Sequence, residues 1–301
     1  MNIRDLTYIR AVAQFQHFGR AAEKCHVSQP TLSSQIKKLE TELGVTLFER
    51  DNRSVRVTDA GQEIVRLADN ALEIIGNIRT FAETARDPLG GQFQLGFIPT
   101  IAPYLVPHFV RQSREALPNL MLSFTEDITD RLVEALHNGD LDAAILATKP
   151  EDSRLSVIPL YDEPFWVIYP DEHALRMIDA ITTKDLPADE LLLLTEGHCF
   201  RDQALDICKT GPTPGARAIQ ATSLATLVNM VASGQGITLV PAMALSGHAA
   251  AQSVRTQKLS DSNANRRVYL TYRKSFPRRK LLDTISGVIC ENLPGSVQTI
   301  T

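Results

Sequence analysis

Two cysteines nine positions apart are the residues whose types and spacing could support redox chemistry. Cys199 has His198 on one side and Arg201 and Asp202 shortly after it, and Cys208 follows. A cationic neighbour such as Arg201, or His198 when protonated, favours the thiolate over the thiol, and the thiolate is the form that attacks oxidants. The types and spacing of these residues therefore indicate a candidate site of thiol oxidation.

The residues between the cysteines favour a helix, which would keep the two sulfurs apart. Residues 200–207 contain neither Pro nor Gly and follow a break at Gly197. Over nine residues a helix separates two Cα atoms by about 13 Å, whereas a disulfide needs about 4.4–6.8 Å. A bond between these cysteines would require the segment to unwind, which is what a redox switch does.

Two other interpretations fit the same residues. Cysteines in an intracellular protein are commonly reduced, buried and inert. A zinc site fits less well, because the spacing of Cys199 and Cys208 matches no usual ligand pair and His198 is an immediate neighbour of Cys199. We therefore expect no metal, while the switch and the inert pair both stay open at this point.

Length and composition are those of a multidomain globular chain. Its 301 residues suffice for two or three domains, and 44% of them are hydrophobic and 22% charged. No apolar run has the length of a membrane span, and the N-terminus carries no signal-peptide core. We therefore expect a cytoplasmic protein with no membrane partner. Four cysteines in such a long chain do not form a disulfide scaffold.

Charge is spread unevenly along the chain. Residues 1–58 contain nine Lys or Arg against six Asp or Glu, a balance of +3. Because the whole chain has a net charge of −4, the remaining residues have a net charge of −7. A basic head on an acidic body predicts that only the head meets an anionic partner.

The basic head has the pattern of a helix-turn-helix. Helical spacing at 5–15 and 18–25 is followed by a turn and by a third helix that Ser28 caps and Gly44 ends. The apolar stripe predicted for this helix is Leu32, Ile36, Leu39 and Leu43. Its polar face would read base edges, and residues 47–57 would form two strands of a basic wing. A plain helical core with a solvated face is the alternative.

The candidate DNA contacts lie on this polar face, at the N-terminus and in the wing. They are Arg4, Gln29, Pro30, Thr31, Ser33, Ser34, Lys37, Arg50 and Arg53. Cys25 is expected to fill space on the apolar side.

A long helix is predicted from Asp59 to about Arg86. Its apolar residues alternate spacings of four and three: Ile64, Ala68, Ala71, Ile75, Ile78, Ala82 and Ala85. Such a seam is typical of a helix that pairs with another helix, and a second copy of the chain is the expected partner. A core helix of one domain is the alternative.

Beyond residue 92 the pattern changes to alternating strands and helices, which predicts an α/β domain with a mixed sheet. Strands are predicted at 93–98, 120–125, 141–147, 165–169, 191–194, 237–240 and 268–272, and helices at 102–117, 129–138, 224–232 and 280–293. Thr100 and Thr129 follow two of the strands, where such sheets hold small ligands. The basic run at 273–280 is expected to be a solvated face, and Cys290 to be packing.

These motifs together resemble the LysR-type transcriptional regulators. The residues that carry the resemblance are Ala21-Ala22, Val27 to Ser33, Ile36, Leu39-Glu40, Leu43-Gly44, Leu47 to Arg50, and Gly234 to Ile237 with Pro241. The resemblance implies a winged helix-turn-helix at 1–58, a linker helix for dimerisation at 59–88, and a two-lobed, periplasmic-binding-protein-like (type 2) α/β regulatory domain at 89–301. Lobe I would comprise about 89–163 and 269–301, and lobe II about 164–268.

Within the family, residues 197–208 are similar to the members that sense hydrogen peroxide, as are 1–6, 98–100 and 162–164. This implies that peroxide oxidises Cys199 to a sulfenic acid and that Cys208 then forms a disulfide with it, altering promoter binding and gene activation. The pocket residues implied are Thr100, Thr129, His198, Arg201 and Asp202. The sequence departs from the pattern at 209–216, where two Gly and two Pro make a stiff loop.

The resemblance also implies the partners of the protein. They are double-stranded operator DNA, hydrogen peroxide, RNA polymerase, a second copy in a dimer or tetramer, and a thiol reductant such as glutathione or glutaredoxin. No cofactor and no enzymatic activity are implied. A family member that senses a small organic effector, and a thiol peroxidase, are the alternatives.

Overall fold

A computed structural model describes residues 1–51, 54–84, 87–208, 220–246 and 254–300, with side chains at all of these except 50, 51, 54, 79, 80, 83, 84 and 246. The chain divides into two compact units, Met1–Ala82 and Glu83–Thr301. In the part of the chain that the structure describes, no helix is both long enough and apolar enough to cross a bilayer.

The first unit is the predicted winged helix-turn-helix followed by a long helix. Its elements are α1 (Ile3–Phe15), α2 (Phe18–Lys24), α3 (Gln29–Leu43), β1 (Phe48–Asp51), β2 (Ser54–Val57) and α4 (Asp59–Thr84). The two strands pair antiparallel as the wing. The carboxylate of Glu40 accepts hydrogen bonds from the backbone amides of Leu47 (2.8 Å) and Phe48 (3.1 Å), which attaches the wing to α3.

The ends of α3 are those that the sequence predicts. The Ser28 hydroxyl accepts a hydrogen bond from the Thr31 amide at 3.3 Å, and Gly44 ends the helix with φ +70°, where a side chain would be strained. The predicted stripe is wrong at one position, because Leu43 is 37% exposed while the other three residues are buried. Leu43 is the last residue of α3, beyond the reach of the core around α1 and α2.

The long helix α4 begins at a side-chain cap and extends an apolar face. The Thr58 hydroxyl accepts a hydrogen bond from the Gly61 amide at 2.9 Å. Ile64 and Ala68 pack on the core of the first unit, whereas the apolar residues Leu67, Ile74, Ile78 and Phe81 are exposed. Pairing of α4 with a second copy stays a prediction, and the predicted end at Ala85 and Arg86 lies outside the described residues.

The second unit is a mixed α/β fold. Its elements are β3 (Gly91–Phe97), α5 (Ala102–Ala116), β4 (Leu120–Glu126), α6 (Thr129–Asn138), β5 (Ala143–Leu146), β6 (Leu155–Tyr169), β7 (Leu193–Leu194), α7 (Cys199–Cys208), β8 (Gln220–Ala221), α8 (Leu224–Ala232), β9 (Thr238–Pro241), β10 (Arg255–Lys258), β11 (Asn265–Arg273), α9 (Arg279–Glu291) and β12 (Gln298–Thr299). The order in the main sheet is β10-β6-β11-β5-β3-β4. Strands β3, β4 and β5 are parallel, and β11 is antiparallel to β5 and β6.

Strand β6 joins two lobes. Nine of its first ten residues pair with β11, with Leu160 left out at a bulge, whereas its last part pairs with β9 and β10. The sequence predicts only 165–169 as strand, because Pro159, Pro164 and the acidic pair between them interrupt the apolar alternation. The change of partner occurs at Pro164, so the acidic pair Asp162-Glu163 lies where one lobe passes into the other.

The basic run at 273–280 is the solvated face that the sequence predicts only at Lys274, Arg279 and Lys280. Arg273 and Arg278 are buried. Arg273 donates hydrogen bonds to the backbone carbonyls of Leu136 and Leu141, and Arg278 to those of Gly90 and Gln92. Carbonyls at the ends of helices and strands need donors when they are buried, and these guanidinium groups supply them.

Candidate functional site

The helix between the two cysteines has them as its first and last residues. α7 begins at Cys199, follows Gly197 at φ +91°, and ends at Cys208. Both cysteines are free, and nine helical residues place their Cα atoms about 13 Å apart. The predicted helix is therefore confirmed, and the reduced pair is out of bonding distance.

Several contacts hold α7 in place. Its apolar face buries Phe200, Ala204 and Ile207, and the Phe200 ring meets the Phe165 ring edge-on with centroids 5.3 Å apart. The side-chain amide of Gln203 donates to the carbonyl of Ala147 at 2.8 Å. This hydrogen bond attaches α7 to the end of β5 in the other lobe.

Cys199 faces a small pocket at the N-terminal end of α7. Three segments line it: Ile98 to Thr100 after β3, Ile128-Thr129 at the start of α6, and Gly197 to Phe200. The pocket leaves about 10 Å³ for the centre of a water-sized molecule, which is the room that roughly one such molecule needs. The structure thus brings together four of the predicted site residues, namely Thr100, Thr129, His198 and Cys199.

Arg201 and Asp202, the other two predicted pocket residues, do not line it. The Arg201 side chain is buried on another side of α7, and its Nη1 donates to the carbonyl of Leu194 at 3.1 Å. Asp202 is exposed. On a helix, residues two positions apart point in nearly opposite directions, so proximity to Cys199 along the chain does not place the Arg201 cation beside the sulfur.

The cation that acts on Cys199 is Arg266, which the sequence does not single out. Burial raises the pKa of the Cys199 thiol, and Arg266 is the largest influence that lowers it. The Thr129 hydroxyl also lowers this pKa, while the charge of Asp202 raises it. The prediction that cations next to Cys199 in sequence would set its thiolate is therefore wrong. The opposing cation comes from β11.

Arg266 is fixed by a network of buried polar groups. Its Nη1 donates to Thr100 Oγ1 at 2.8 Å and its Nη2 to the Thr100 carbonyl at 3.0 Å. Its Nε donates to Glu163 Oε2 at 2.9 Å. The guanidinium carbon also lies 5.6 Å from the centre of the Phe200 ring, at the first turn of α7. The sequence contains one signal of this ion pair, since Asp162-Glu163 and Arg266-Arg267 are oppositely charged pairs. It does not specify which acidic residue lies opposite which arginine.

The other polar groups of the pocket are neutral. Burial lowers the pKa of His198, so its imidazole is uncharged near neutral pH and does not favour the thiolate by a positive charge. The Thr129 hydroxyl is buried and has no hydrogen-bond partner of normal geometry among the described residues. It lies near enough to Cys199 to favour the thiolate.

Cys208 lies in a different environment at the other end of α7. Burial, with the charge of Asp261 as a second cause, raises the pKa of the Cys208 thiol to about 11. Cys208 packs against the apolar core. The predicted loop at 209–216 lies outside the described residues.

The candidate DNA contacts form an exposed face of the first unit. Arg4, Gln29, Pro30, Thr31, Ser34 and Lys37 are exposed, and Ser33 is half-buried. The side chain of Arg50 and the whole of Arg53 lie outside the described residues. A polar first turn of α3 that is open to the surroundings is the arrangement with which such a helix reads a major groove.

Comparisons with known proteins cover the whole chain. Residues 3–62 match the bacterial regulatory helix-turn-helix proteins of the lysR family, and residues 86–291 match the LysR substrate binding domain. The "DNA-binding transcriptional dual regulator OxyR" of Escherichia coli (strain K12) is 38% identical over 98% of this chain and 97% of its own.

Two solved structures are similar over more than nine-tenths of their length. A full-length cysteine-to-aspartate variant of OxyR from Pseudomonas aeruginosa is 39% identical, with a TM-score of 0.76 over 100% of this chain and 98% of its own. A cysteine variant of Corynebacterium glutamicum OxyR with hydrogen peroxide bound is 34% identical, with a TM-score of 0.65 over 97% of this chain and 92% of its own.

Proposed function

Since this chain belongs to the lysR family of bacterial regulatory proteins, we propose that it is a DNA-binding transcriptional regulator that senses hydrogen peroxide through Cys199 and Cys208. The observation that carries the proposal is the pocket at Cys199, which has room for about one small molecule and opens at the first residue of a helix that ends in a second cysteine.

The size of the pocket favours peroxide over an organic effector. It leaves about 10 Å³ for the centre of a water-sized molecule, far below the roughly 300 Å³ at which pockets for drug-sized molecules begin. Its polar groups, the hydroxyls of Thr100 and Thr129 and the imidazole of His198, suit a small ligand that both donates and accepts hydrogen bonds. The C. glutamicum relative carries hydrogen peroxide in its structure.

The first step oxidises Cys199. The neutral imidazole of His198 takes the proton of the thiol, and Arg266 and Thr129 favour the resulting thiolate. The sulfur attacks one peroxide oxygen, so that an S–O bond forms while the O–O bond breaks. Sulfur loses two electrons, the second oxygen leaves as hydroxide, and the proton on His198 converts it to water. The product is the Cys199 sulfenic acid.

The second step joins the two sulfurs. Cys208 attacks the sulfenic sulfur, the S–S bond forms, and the hydroxyl leaves as water after it takes up the proton of the Cys208 thiol. Because the helix holds the cysteines about 13 Å apart, α7 must unwind. Unwinding removes the Gln203–Ala147 and Arg201–Leu194 hydrogen bonds and exposes Phe200. The disulfide and the rearrangement are therefore one event.

The rearrangement alters promoter binding and activation of antioxidant genes. About 5.5 kcal/mol of differential stability moves a two-state equilibrium from 1:99 to 99:1, which one covalent bond can supply. In this proposal the unit at 1–58 binds operator DNA, the helix at 59–88 pairs two copies, and the domain at 89–301 senses peroxide. RNA polymerase, a dimer or tetramer of the chain, and a cytoplasmic thiol reductant of the glutathione or glutaredoxin kind complete the system.

The experiment that tests the proposal maps thiols by mass spectrometry before and after stoichiometric peroxide, together with binding of operator DNA. We expect a Cys199–Cys208 disulfide in the wild type, a trapped Cys199 sulfenic acid in Cys208→Ser, and wild-type behaviour in the control Cys290→Ser. A Cys208→Ser protein with an unaltered transcriptional response would instead support an organic effector. Steady-state consumption of peroxide without selective DNA binding would support a thiol peroxidase.

A further inference from the structure

Two acid–base pairs lie side by side where β6 and β11 pass between the lobes. The strand register places Glu163 opposite Arg266 and Asp162 opposite Arg267. Because successive residues of a strand point to opposite faces, the two pairs have different surroundings. The Glu163 and Arg266 side chains are 0% and 1% exposed, whereas those of Asp162 and Arg267 are 28% and 48% exposed.

Both oxygens of the buried Glu163 carboxylate accept hydrogen bonds, one from the Arg266 guanidinium and one from a backbone amide. Glu163 Oε2 accepts hydrogen bonds from Arg266 Nε at 2.9 Å and lies 2.8 Å from Nη2. Glu163 Oε1 accepts the backbone amide of Met243 at 2.8 Å. Met243 follows β9 in the second lobe, so Glu163 is fixed to that lobe and in turn fixes the Nε and Nη2 edge of the guanidinium.

The groups around this pair leave Glu163 as the counter-charge of Arg266. Burial raises the pKa of Tyr104, from α5, to about 12, and raises that of Tyr161, from β6, well above its ordinary value, so both phenols are neutral. The carboxylates of Glu126 and Asp202 also act on this cluster, on Tyr104 and Cys199 respectively, but both side chains are exposed. Loss of the Glu163 charge would leave the Arg266 cation buried without a partner, which is strongly unfavourable.

We propose that Glu163 is a positioning residue for the reaction at Cys199, because it holds the Arg266 guanidinium in the orientation in which the cation faces the peroxide pocket. The inference rests on the proposed function and adds a residue that touches neither the pocket nor the reacting sulfur. The Glu163 carboxylate acts only through the planar fork of Arg266, which two-point hydrogen bonding orients.

The test compares Glu163→Gln with Asp162→Asn in the full-length protein. Two readouts are taken: the rate of Cys199 sulfenic acid formation with peroxide, and the pH dependence of Cys199 alkylation by iodoacetamide. For Glu163→Gln we expect about tenfold slower oxidation at neutral pH and an alkylation curve displaced to higher pH, because one pKa unit changes the thiolate fraction tenfold. Asp162→Asn, the same change in the exposed pair, should leave both readouts as in the wild type.

The direction in which the alkylation curve of Glu163→Gln moves along the pH axis shows whether Glu163 positions Arg266 or acts on Cys199 only through its negative charge. Removal of a negative charge that did not position Arg266 would favour the thiolate, so faster oxidation or a curve displaced to lower pH in Glu163→Gln overturns the proposal. An unchanged curve with lowered thermal stability assigns Glu163 a structural role only and also overturns it.

A second variant keeps the test valid if Glu163→Gln does not fold. Glu163→Asp retains the charge, but its side chain is one methylene too short to hold Arg266 and the Met243 amide together. It should slow oxidation several-fold, and oxidation at the wild-type rate with a wild-type pH curve overturns the proposal. Absence of peroxide oxidation at Cys199 in the wild type would instead refute the proposed function. The alkylation curve tests the role of Glu163 independently of that result.

Discussion

The two ends of α7 carry the same residue in different chemical surroundings. Burial raises the pKa of both Cys199 and Cys208. At the first end Arg266 and the Thr129 hydroxyl oppose burial, and a pocket gives access to the sulfur. At the last end Asp261 adds to burial and brings the pKa to about 11. In the proposed function, the thiolate that attacks peroxide therefore belongs to Cys199, and Cys208 acts second.

The two remaining cysteines share the partial burial of Cys199 but not its other surroundings. Burial raises the pKa of Cys25 and of Cys290. The Cys290 thiol donates to the carbonyl of Leu160 at 3.4 Å, and Cys25 packs on the core of the first unit. What distinguishes Cys199 is a buried cation from another strand, a hydroxyl and a pocket at one sulfur.

The largest expected effect comes from removing the sulfur at the first end. Cys199→Ser should abolish oxidation by stoichiometric peroxide, because a serine hydroxyl is no nucleophile without a base strong enough to ionise it and Cys208 is held as a thiol. Mass spectrometry with a sulfenic acid probe measures this. If the probe labelled Cys208 in this variant as fast as it labels Cys199 in the wild type, the two cysteines would be equally reactive and the proposed difference between them would be wrong.

A substitution of Arg266 should reduce the reactivity of Cys199 relative to Cys208 without abolishing it. Arg266→Lys keeps a positive charge but loses the fork that binds Thr100 and Glu163 together. We expect oxidation at neutral pH to be about 10- to 100-fold slower. The pH profile should move upward, since Arg266 lowers the Cys199 pKa and its displacement raises it. Arg267→Lys, on the exposed pair, is the matched control, and stopped-flow oxidation over a pH series gives both numbers. Equal profiles for the two variants would contradict the role of Arg266.

The Thr129 hydroxyl should contribute less than the cation. Thr129→Val is nearly isosteric and removes one hydroxyl that favours the thiolate, which is worth about 1 kcal/mol, or roughly fivefold in rate. Thr271→Val removes another buried hydroxyl that has no hydrogen-bond partner among the described residues, away from Cys199. If both variants slow oxidation equally, the effect belongs to general packing and not to the pocket.

The smallest expected effect is that of substitutions at Asp206, which should change only the rate of disulfide formation between Cys199 and Cys208. Asp206 is exposed on α7, and Asp206→Ala should strengthen the helix by about 0.7 kcal/mol or less. Disulfide formation should then be about twofold to threefold slower, because the helix must unwind, while sulfenic acid formation keeps its rate. Asp206→Gly should act in the opposite direction. Quenched-flow mass spectrometry separates the two steps, and identical closure rates in both variants would show that unwinding of α7 does not limit closure.

Local sequence predicted local structure well. The Ser28 cap and the Gly44 end of α3 are where the sequence puts them, and α7 spans Cys199 to Cys208. Thr100 and Thr129 follow strands, and the structure brings both to Cys199. These features depend on caps, on helix propensity and on the ends of strands, which a few neighbouring residues determine.

Residues with long-range partners were predicted poorly. Arg201, two positions after Cys199 in sequence, donates to the carbonyl of Leu194 instead, and Arg273 and Arg278 donate to buried carbonyls and not to solvent. The first part of β6 was missed because its residues do not alternate, although β11 pairs with all of it except Leu160.

The sequence by itself determined that two cysteines occupy one helix, that a helix-turn-helix precedes them and that hydroxyls follow two strands. Only the tertiary structure decided which cation acts on Cys199. Arg266 is 67 positions further along the chain than Cys199, and it meets Thr100 and Phe200 at the wall of the pocket. It does so because β11 pairs with β6 in one particular register. A register shifted by one residue would turn Arg266 and Glu163 to the other face, and no short stretch of sequence specifies that choice.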